Sequence, residues 1–170
     1  MKVVELTSAD VEKCESFLKS AISETFENLI FTEPEFEEET QPRSGEFLYI
    51  DMLTPLRARL LGKISSNLSA EIASTVLGIE PEHLSDVILN DAVGEVLNTI
   101  AGHFLRSLLP DGDKFDLGLP GRMDSSEPFS EELVHISAKI NDEPISICLA
   151  WSQHAAFTEG EDDVVDELKK

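Results

Sequence analysis

The sequence predicts an α+β domain, an antiparallel-rich sheet with flanking helices in the order α-β-β-α-α-β-β-β. Three observations predict it. The stretch Asp91–Leu109, DAVGEVLNTIAGHFLRSLL, repeats Val93, Val96, Leu97, Ile100, Phe104 and Leu108 at three- and four-residue intervals, one broad apolar helix face. Elsewhere, short segments alternate apolar and polar residues with the period of a half-buried strand. Finally, 170 residues with 41% hydrophobic content suffice for one core, and 6% aromatics make that core mostly aliphatic.

Taken in order, Thr7 or Ser8 caps a first helix from about Asp10 to Phe31, with Val11, Phe17, Leu18, Ala21, Ile22, Phe26 and Leu29 facing inward. Pro34 and the acidic run Glu33–Glu39 end it, and the run reads as solvated loop. Strands follow at 46–52 and 56–65, hinged at Thr54-Pro55, the first alternating Phe47, Tyr49 and Asp51 against Leu48, Ile50 and Met52. Arg57, Arg59 and Lys63 share one face of the second strand and read as an exposed sheet face. Ser69 is placed as the cap of a short helix, Ala70–Leu77, that Gly78 terminates. The central helix can start as early as Pro81, with a break near Asn90. Pro110-Asp111-Gly112-Asp113 is a turn without the ligand ladder of a calcium loop. Strands are expected at 114–119, 133–140 and 144–152, the last two forming a hairpin across Asn141-Asp142-Glu143. Residues 1–158 make one domain, and 159–170 form an acidic C-terminal tail.

Charge and cysteine usage exclude several functions. A formal charge of -21 disfavours nucleic acid, whose phosphates need a basic footprint, and equally an anionic membrane surface. Cys14 and Cys148 lie far apart without metal-type spacing, so they are expected as buried free thiols of a reducing, cytoplasmic compartment. No phosphate-cradling glycine loop, nucleophile elbow or paired-histidine helix is present, and His83, His103, His135 and His154 are scattered. Trp151 reads as core.

One pattern remains. On the central helix a narrow stripe of Asp91, Glu95, Asn98, Gly102 and Arg106 runs opposite the apolar face. Glu95 and Asn98 are one turn apart, separated by about 4.5 Å along the axis. Gly94 and Gly102 each cost roughly 1 kcal/mol relative to alanine in a helix, which points to a need for close approach, either to the helix's own sheet or to something docking from outside. Taken bare, such a pair is a solvated helix face.

The pattern Asp91-x-x-x-Glu95-x-x-Asn98-x-x-x-Gly102, with Pro120 downstream, resembles the signature of the CheC/CheX/FliY chemotaxis phosphatases, and the element order from Asp10 to Ser152 resembles their fold. The resemblance implies a substrate: a phosphorylated CheY-like response regulator bearing an aspartyl phosphate, its own Mg²⁺ and a lysine. It implies no cofactor of the chain's own. Glu95 would pair with the partner's lysine, and Asn98 would enter its active site and orient water for in-line attack. Asp91, Gly94, Gly102 and Arg106 would be docking residues. In the first helix the matching register is Ser20, Glu24 and Glu27, where a glutamate replaces the amide; this implies a single site and the CheX-like branch, whose members resemble one another in forming homodimers. The alternative is a non-catalytic module of the same fold that binds a signalling or flagellar-switch partner.

Overall fold

Helix α1 (Val11–Ile30) begins where local hydrogen bonding fixes the chain. The Asp10 carboxylate accepts the Thr7 N–H at 2.9 Å and the Thr7 hydroxyl at 3.1 Å, closing a short 3-10 turn at Ser8–Asp10. The computed structural model describes residues 3–38, 40, 42–123 and 132–151. Cys14, Leu18, Ala21, Ile22, Thr25, Phe26 and Ile30 form the buried stripe of α1, while Val11, Phe17 and Leu29 are partly buried at its margin. The helix ends at Phe31, which takes left-handed φ 58° and returns its N–H to Glu27 O at 3.1 Å.

Strand β1 (Glu35–Glu37) lies within the acidic run that the charge pattern assigns to loop. A three-residue edge strand needs only backbone pairing, and its carboxylates stay in solvent; Lys139 on the neighbouring strand reaches Glu37 at 3.3 Å. Strands β2 (Phe47–Thr54) and β3 (Ala58–Ile64) fall as expected, with Leu48, Ile50 and Met52 buried on one side of β2. Helix α2 (Ser66–Leu77) starts earlier than its sequence suggests. Its cap is Ser65, whose Oγ accepts the Leu68 N–H at 3.3 Å, whereas Ser69 sits inside the helix and donates to Ser65 O at 2.9 Å. Gly78, at φ 65°, ends it as predicted.

The central helix α3 (Asp86–Leu108) runs without a break at Asn90. The discontinuity lies earlier: Pro81–His83 form a separate 3-10 turn, and Ser85 caps α3 by accepting the Ile88 N–H at 3.3 Å. After the turn at Pro110–Asp113, the expected strand at 114–119 is reduced to β4 (Asp116–Leu117), and β5 (Gly121–Arg122) follows without having been foreseen. Strands β6 (Glu132–Ile140) and β7 (Glu143–Trp151) make the expected hairpin; Asn141 and Asp142 adopt φ 52° and 67°, the left-handed pair that such a tight turn requires.

All strand pairings are antiparallel, in the order β1-β6-β7-β3-β2-β4, with β5 beside β4 on β2. The three helices cover one face. Ile145, Ile147, Leu149 and Trp151 of β7 join Leu60 and Ile64 of β3 beneath Val96, Leu97, Ile100 and Phe104 of α3. The opposite face carries Arg59, whose guanidinium bridges both Asp51 oxygens at 2.7 and 3.0 Å and lies 3.9 Å from the Tyr49 ring centre. Lys63 stands 5.4 Å from the Phe47 ring, so the basic residues of β3 are stacked on their own sheet. Residues 159–170, Ser152 and His154 lie outside the described residues.

Close packing centres on Gly62 of β3. A Cβ there would fall 2.5 Å from Leu97 Cδ2 and 3.1 Å from Ile147 Cδ1, both fully buried. Gly62→Ala therefore overpacks the sheet–α3 contact and is expected to destabilise the fold by roughly 1–3 kcal/mol. Denaturant titration checks it; an unchanged midpoint would show that α3 can shift freely on the sheet.

Candidate functional site

Helix α3 is buried along most of its circumference because it packs on β2 and β3 and against both α1 and α2. An outward strip remains along its middle, and it carries the predicted residues. Asp91, Glu95 and Arg106 are exposed, Asn98 is half-buried, and Gly102 is buried in the strip's floor. No hydrogen bond or ion pair joins the side chains of Asp91, Glu95 or Asn98 to any of the described residues. Thr99 Oγ1 donates to the Glu95 carbonyl at 2.9 Å, a bond that leaves the carboxylate untouched. One acid and one amide thus stand a helical turn apart at the surface, able to meet a cation and a polarised water from outside.

The two glycines differ. At Gly102 a Cβ would meet, among the described residues, Arg106 Nη2 alone, at 3.8 Å. Gly94 is approached from within: a Cβ would lie 3.0 and 3.1 Å from Pro120 Cβ and Cγ. The missing side chain lets the 118–121 loop rest directly on α3 beside Glu95. That loop is fastened to β2 at both ends, by Gly118 N–H to Asp51 O at 2.8 Å and Met123 N–H to Phe47 O at 3.0 Å. Between loop and helix opens a cleft of about 510 Å³, floored by Leu48 and Gly94, with Asp91 and Glu95 on the helix rim and Arg122 on the strand rim. Glu46 spans one end, accepting Asn90 Nδ2 at 3.1 Å and Arg122 Nη2 at 2.7 Å. Neither Glu46 nor Arg122 is picked out by the sequence pattern, because the strand that delivers Arg122 is only two residues long.

Arg106 leans back along its own helix, its Nη1 3.5 Å from His103 Nδ1, which also lies 3.4 Å from Glu24 Oε2 on α1. On α1, Ser20, Glu24 and Glu27 are exposed in the register that parallels the α3 stripe.

Helices packed on one face of an antiparallel sheet in this order form a CheC-like fold, and comparison with known proteins agrees. Residues 50–136, just over half of the chain, match the family model described as chemotaxis phosphatase CheX, and the chain belongs to that family. The fold resembles the chemotaxis protein CheX from Vibrio vulnificus, with TM-score 0.65 and 19% identity over 81% of this chain and 95% of that one. It also resembles CheX from Borrelia burgdorferi, crystallised as a CheX–CheY–BeF3–Mg²⁺ complex, with TM-score 0.62 and 18% identity over 83% of this chain and 97% of the other. FliY from Thermotoga maritima aligns with TM-score 0.56 and 17% identity over 98% of this chain and 96% of its own. At these identities the likeness concerns the fold. No curated protein sequence matches.

Other chemistry is sparse. Among the described residues no three His, Cys, Asp or Glu side chains could hold a metal, and no helix is long and apolar enough to cross a membrane. Cys14 and Cys148 are buried free thiols. Burial pushes Cys14 up to about 11, helped by the charge of Asp10 and opposed by Lys13. Burial likewise pushes Cys148 up to about 11, against a hydrogen bond with Ser146; its Sγ lies 3.0 Å from His135 Nδ1. At pH 8 both thiols are therefore protonated, with roughly 100-fold less thiolate than a free cysteine. Native protein is expected to resist iodoacetamide at that pH and to react at both positions once unfolded; rapid native labelling of Cys148 would contradict its packing.

Proposed function

We propose that this chain accelerates hydrolysis of the aspartyl phosphate of a CheY-type response regulator, with Asn98 as the catalytic amide and Glu95 as the docking carboxylate. The observation that carries the proposal is the placement of Glu95 and Asn98 a turn apart on an outward strip of α3, in a chain of the chemotaxis phosphatase family. The complex of a CheX with CheY, BeF3 and Mg²⁺ supports a partner of this class. Mg²⁺ belongs to the substrate in this scheme, held by the regulator's own oxygens.

The chemistry suits a site with few reactive groups. Water adds to phosphorus in line with the bond to the aspartate oxygen; that P–O bond breaks, and inorganic phosphate leaves with the regulator's carboxylate restored. Positioning and charge stabilisation dominate such transfers, so a single inserted amide can matter without a covalent intermediate. The Asn98 carbonyl accepts a hydrogen bond from the attacking water, while its N–H₂ donates toward the phosphoryl oxygens. Glu95, a turn away, pairs with the lysine of the regulator's phosphoryl site. Asp91, Gly102 and Arg106 extend the contact along the strip, and Gly94 holds the Pro120 loop beside it. Glu27 brings negative charge to the corresponding place on α1, which supports one site per chain.

Two measurements test the scheme. Asn98→Ala is expected to lower the single-turnover rate of phosphate loss by roughly 10²–10³-fold, the cost of one preorganised donor, while binding to the beryllofluoride form of the regulator is kept. Asn98→Asp should do no better, since it removes the donor and adds charge. Glu95→Ala should weaken the complex instead. Unchanged hydrolysis in Asn98→Ala would sink the catalytic role, and a wild type that binds without speeding phosphate loss would indicate a binding module. We also propose that the chain works as a homodimer with the strip of α3 uncovered; light scattering at micromolar concentration should give twice the mass of one chain, and a monomer would exclude it.

A further inference from the structure

The cleft beside α3 has rims of opposite charge. Asp91 and Glu95 stand on the helix side, and Arg122 on the strand side is the one basic side chain among the described residues that line it. Arg122 is held in place by pairing: β5 aligns it with Leu48 of β2, next to Gly121 under the Tyr49 ring. Its guanidinium nevertheless projects outward, 70% exposed, with one neighbouring carboxylate among the described residues, Glu46 Oε1 at 2.7 Å. The other oxygen of Glu46 is taken by Asn90 of α3. A cation in this position is conspicuous in a chain of charge -21.

From this arrangement we infer that Arg122 is a docking residue that takes a carboxylate of the acidic partner, with Glu46 as the internal carboxylate that occupies it until then. The inference rests on the proposed function and deepens it. A regulator site that holds Mg²⁺ is built from carboxylate oxygens, so the partner approaches with acidic surface. The acid-rich phosphatase repels it at long range. Arg122 is placed where that repulsion is offset locally, across the cleft from Glu95, which takes the partner's cation. The two rims then fix orientation as well as attraction, since a partner turned round would set carboxylate against carboxylate.

The experiment separates this role from a structural tie between β5 and β2. If Arg122 merely anchors β5 through Glu46, removing either end has the same effect. If it docks the partner while Glu46 competes, the two substitutions act in opposite directions. Steady-state hydrolysis and binding to a CheY-type regulator of the source organism, loaded with beryllofluoride and Mg²⁺, are measured for the full chain. Arg122→Gln is expected to raise KM and the Kd by up to roughly fivefold, the range of an exposed ion pair, with the change carried in KM rather than kcat. Arg122→Lys restores most of the affinity, and Glu46→Gln lowers KM. The Arg122→Gln penalty should shrink between about 10 mM and 1 M salt, as the screening length falls from roughly 30 Å to 3 Å. An unchanged KM, a penalty insensitive to salt, or losses of the same sign in Arg122→Gln and Glu46→Gln would each overturn the docking role while leaving the phosphatase proposal intact. A wild type that neither binds the regulator nor speeds its phosphate loss would overturn both.

Discussion

The contact between Gly62 and Leu97 sets the height of α3 above the sheet, and most of what the surface can do depends on that height. A central strand gives up a side chain so that a leucine can seat against its backbone. Protein interiors are packed closely enough that one added carbon is felt. With α3 drawn down onto β3 and flanked by α1 and α2, its small residues Ala92 and Ala101 and its large ones Val96, Ile100 and Phe104 are all enclosed. Along the middle of the helix, Asp91, Glu95 and, half-buried, Asn98 escape burial. Glu95 and Asn98 are presented together because the rest of the helix has nowhere else to go.

The sheet's two faces share the work unequally. The helix-covered face holds the continuous aliphatic core, whereas the other has a small apolar centre of Leu61, Cys148 and Ala150, with Tyr49 and Met123 against it. Around that centre the charged side chains are spent on one another and on rings: Arg59 on Asp51 and Tyr49, Lys63 on Phe47. The contrast with the cleft is informative. Arg59 and Lys63 on the sheet face each stand over an aromatic ring, while Arg122 stands at a rim, paired with Glu46 and next to acids of another element.

Features that depend on local spacing were legible in the residues. The α3 stripe, the alternation of β2 and β7, and the Asn141-Asp142 turn each follow from a short period or a turn preference that needs no distant partner. Strand β1 was hidden because its composition says solvent; an edge strand with every side chain exposed is specified by its neighbour's backbone and by Lys139, not by its own pattern. The α2 cap was misplaced by four residues, since Ser65 and Ser69 are equally good caps and only the abrupt end of β3 chooses between them. At the site the division is the same. Glu95 and Asn98 sit within one turn, but Glu46 and Arg122 are 76 residues apart and meet only through a two-residue strand. Gly94 read as a place of close approach, to its own chain or to something docking from outside, and Pro120 of the same chain lies against it.

The fastening of the 118–121 loop has a thermodynamic corollary. Although it has almost no regular structure, it is pinned to β2 by backbone hydrogen bonds at Gly118 and Met123 and rests on α3 through Pro120. Its conformational entropy was surrendered when the chain folded. A visitor to the cleft consequently meets, in this loop, a wall already set, with little of its ordering left to fund. Along this wall, selectivity is set by shape and charge that exist before the visitor arrives.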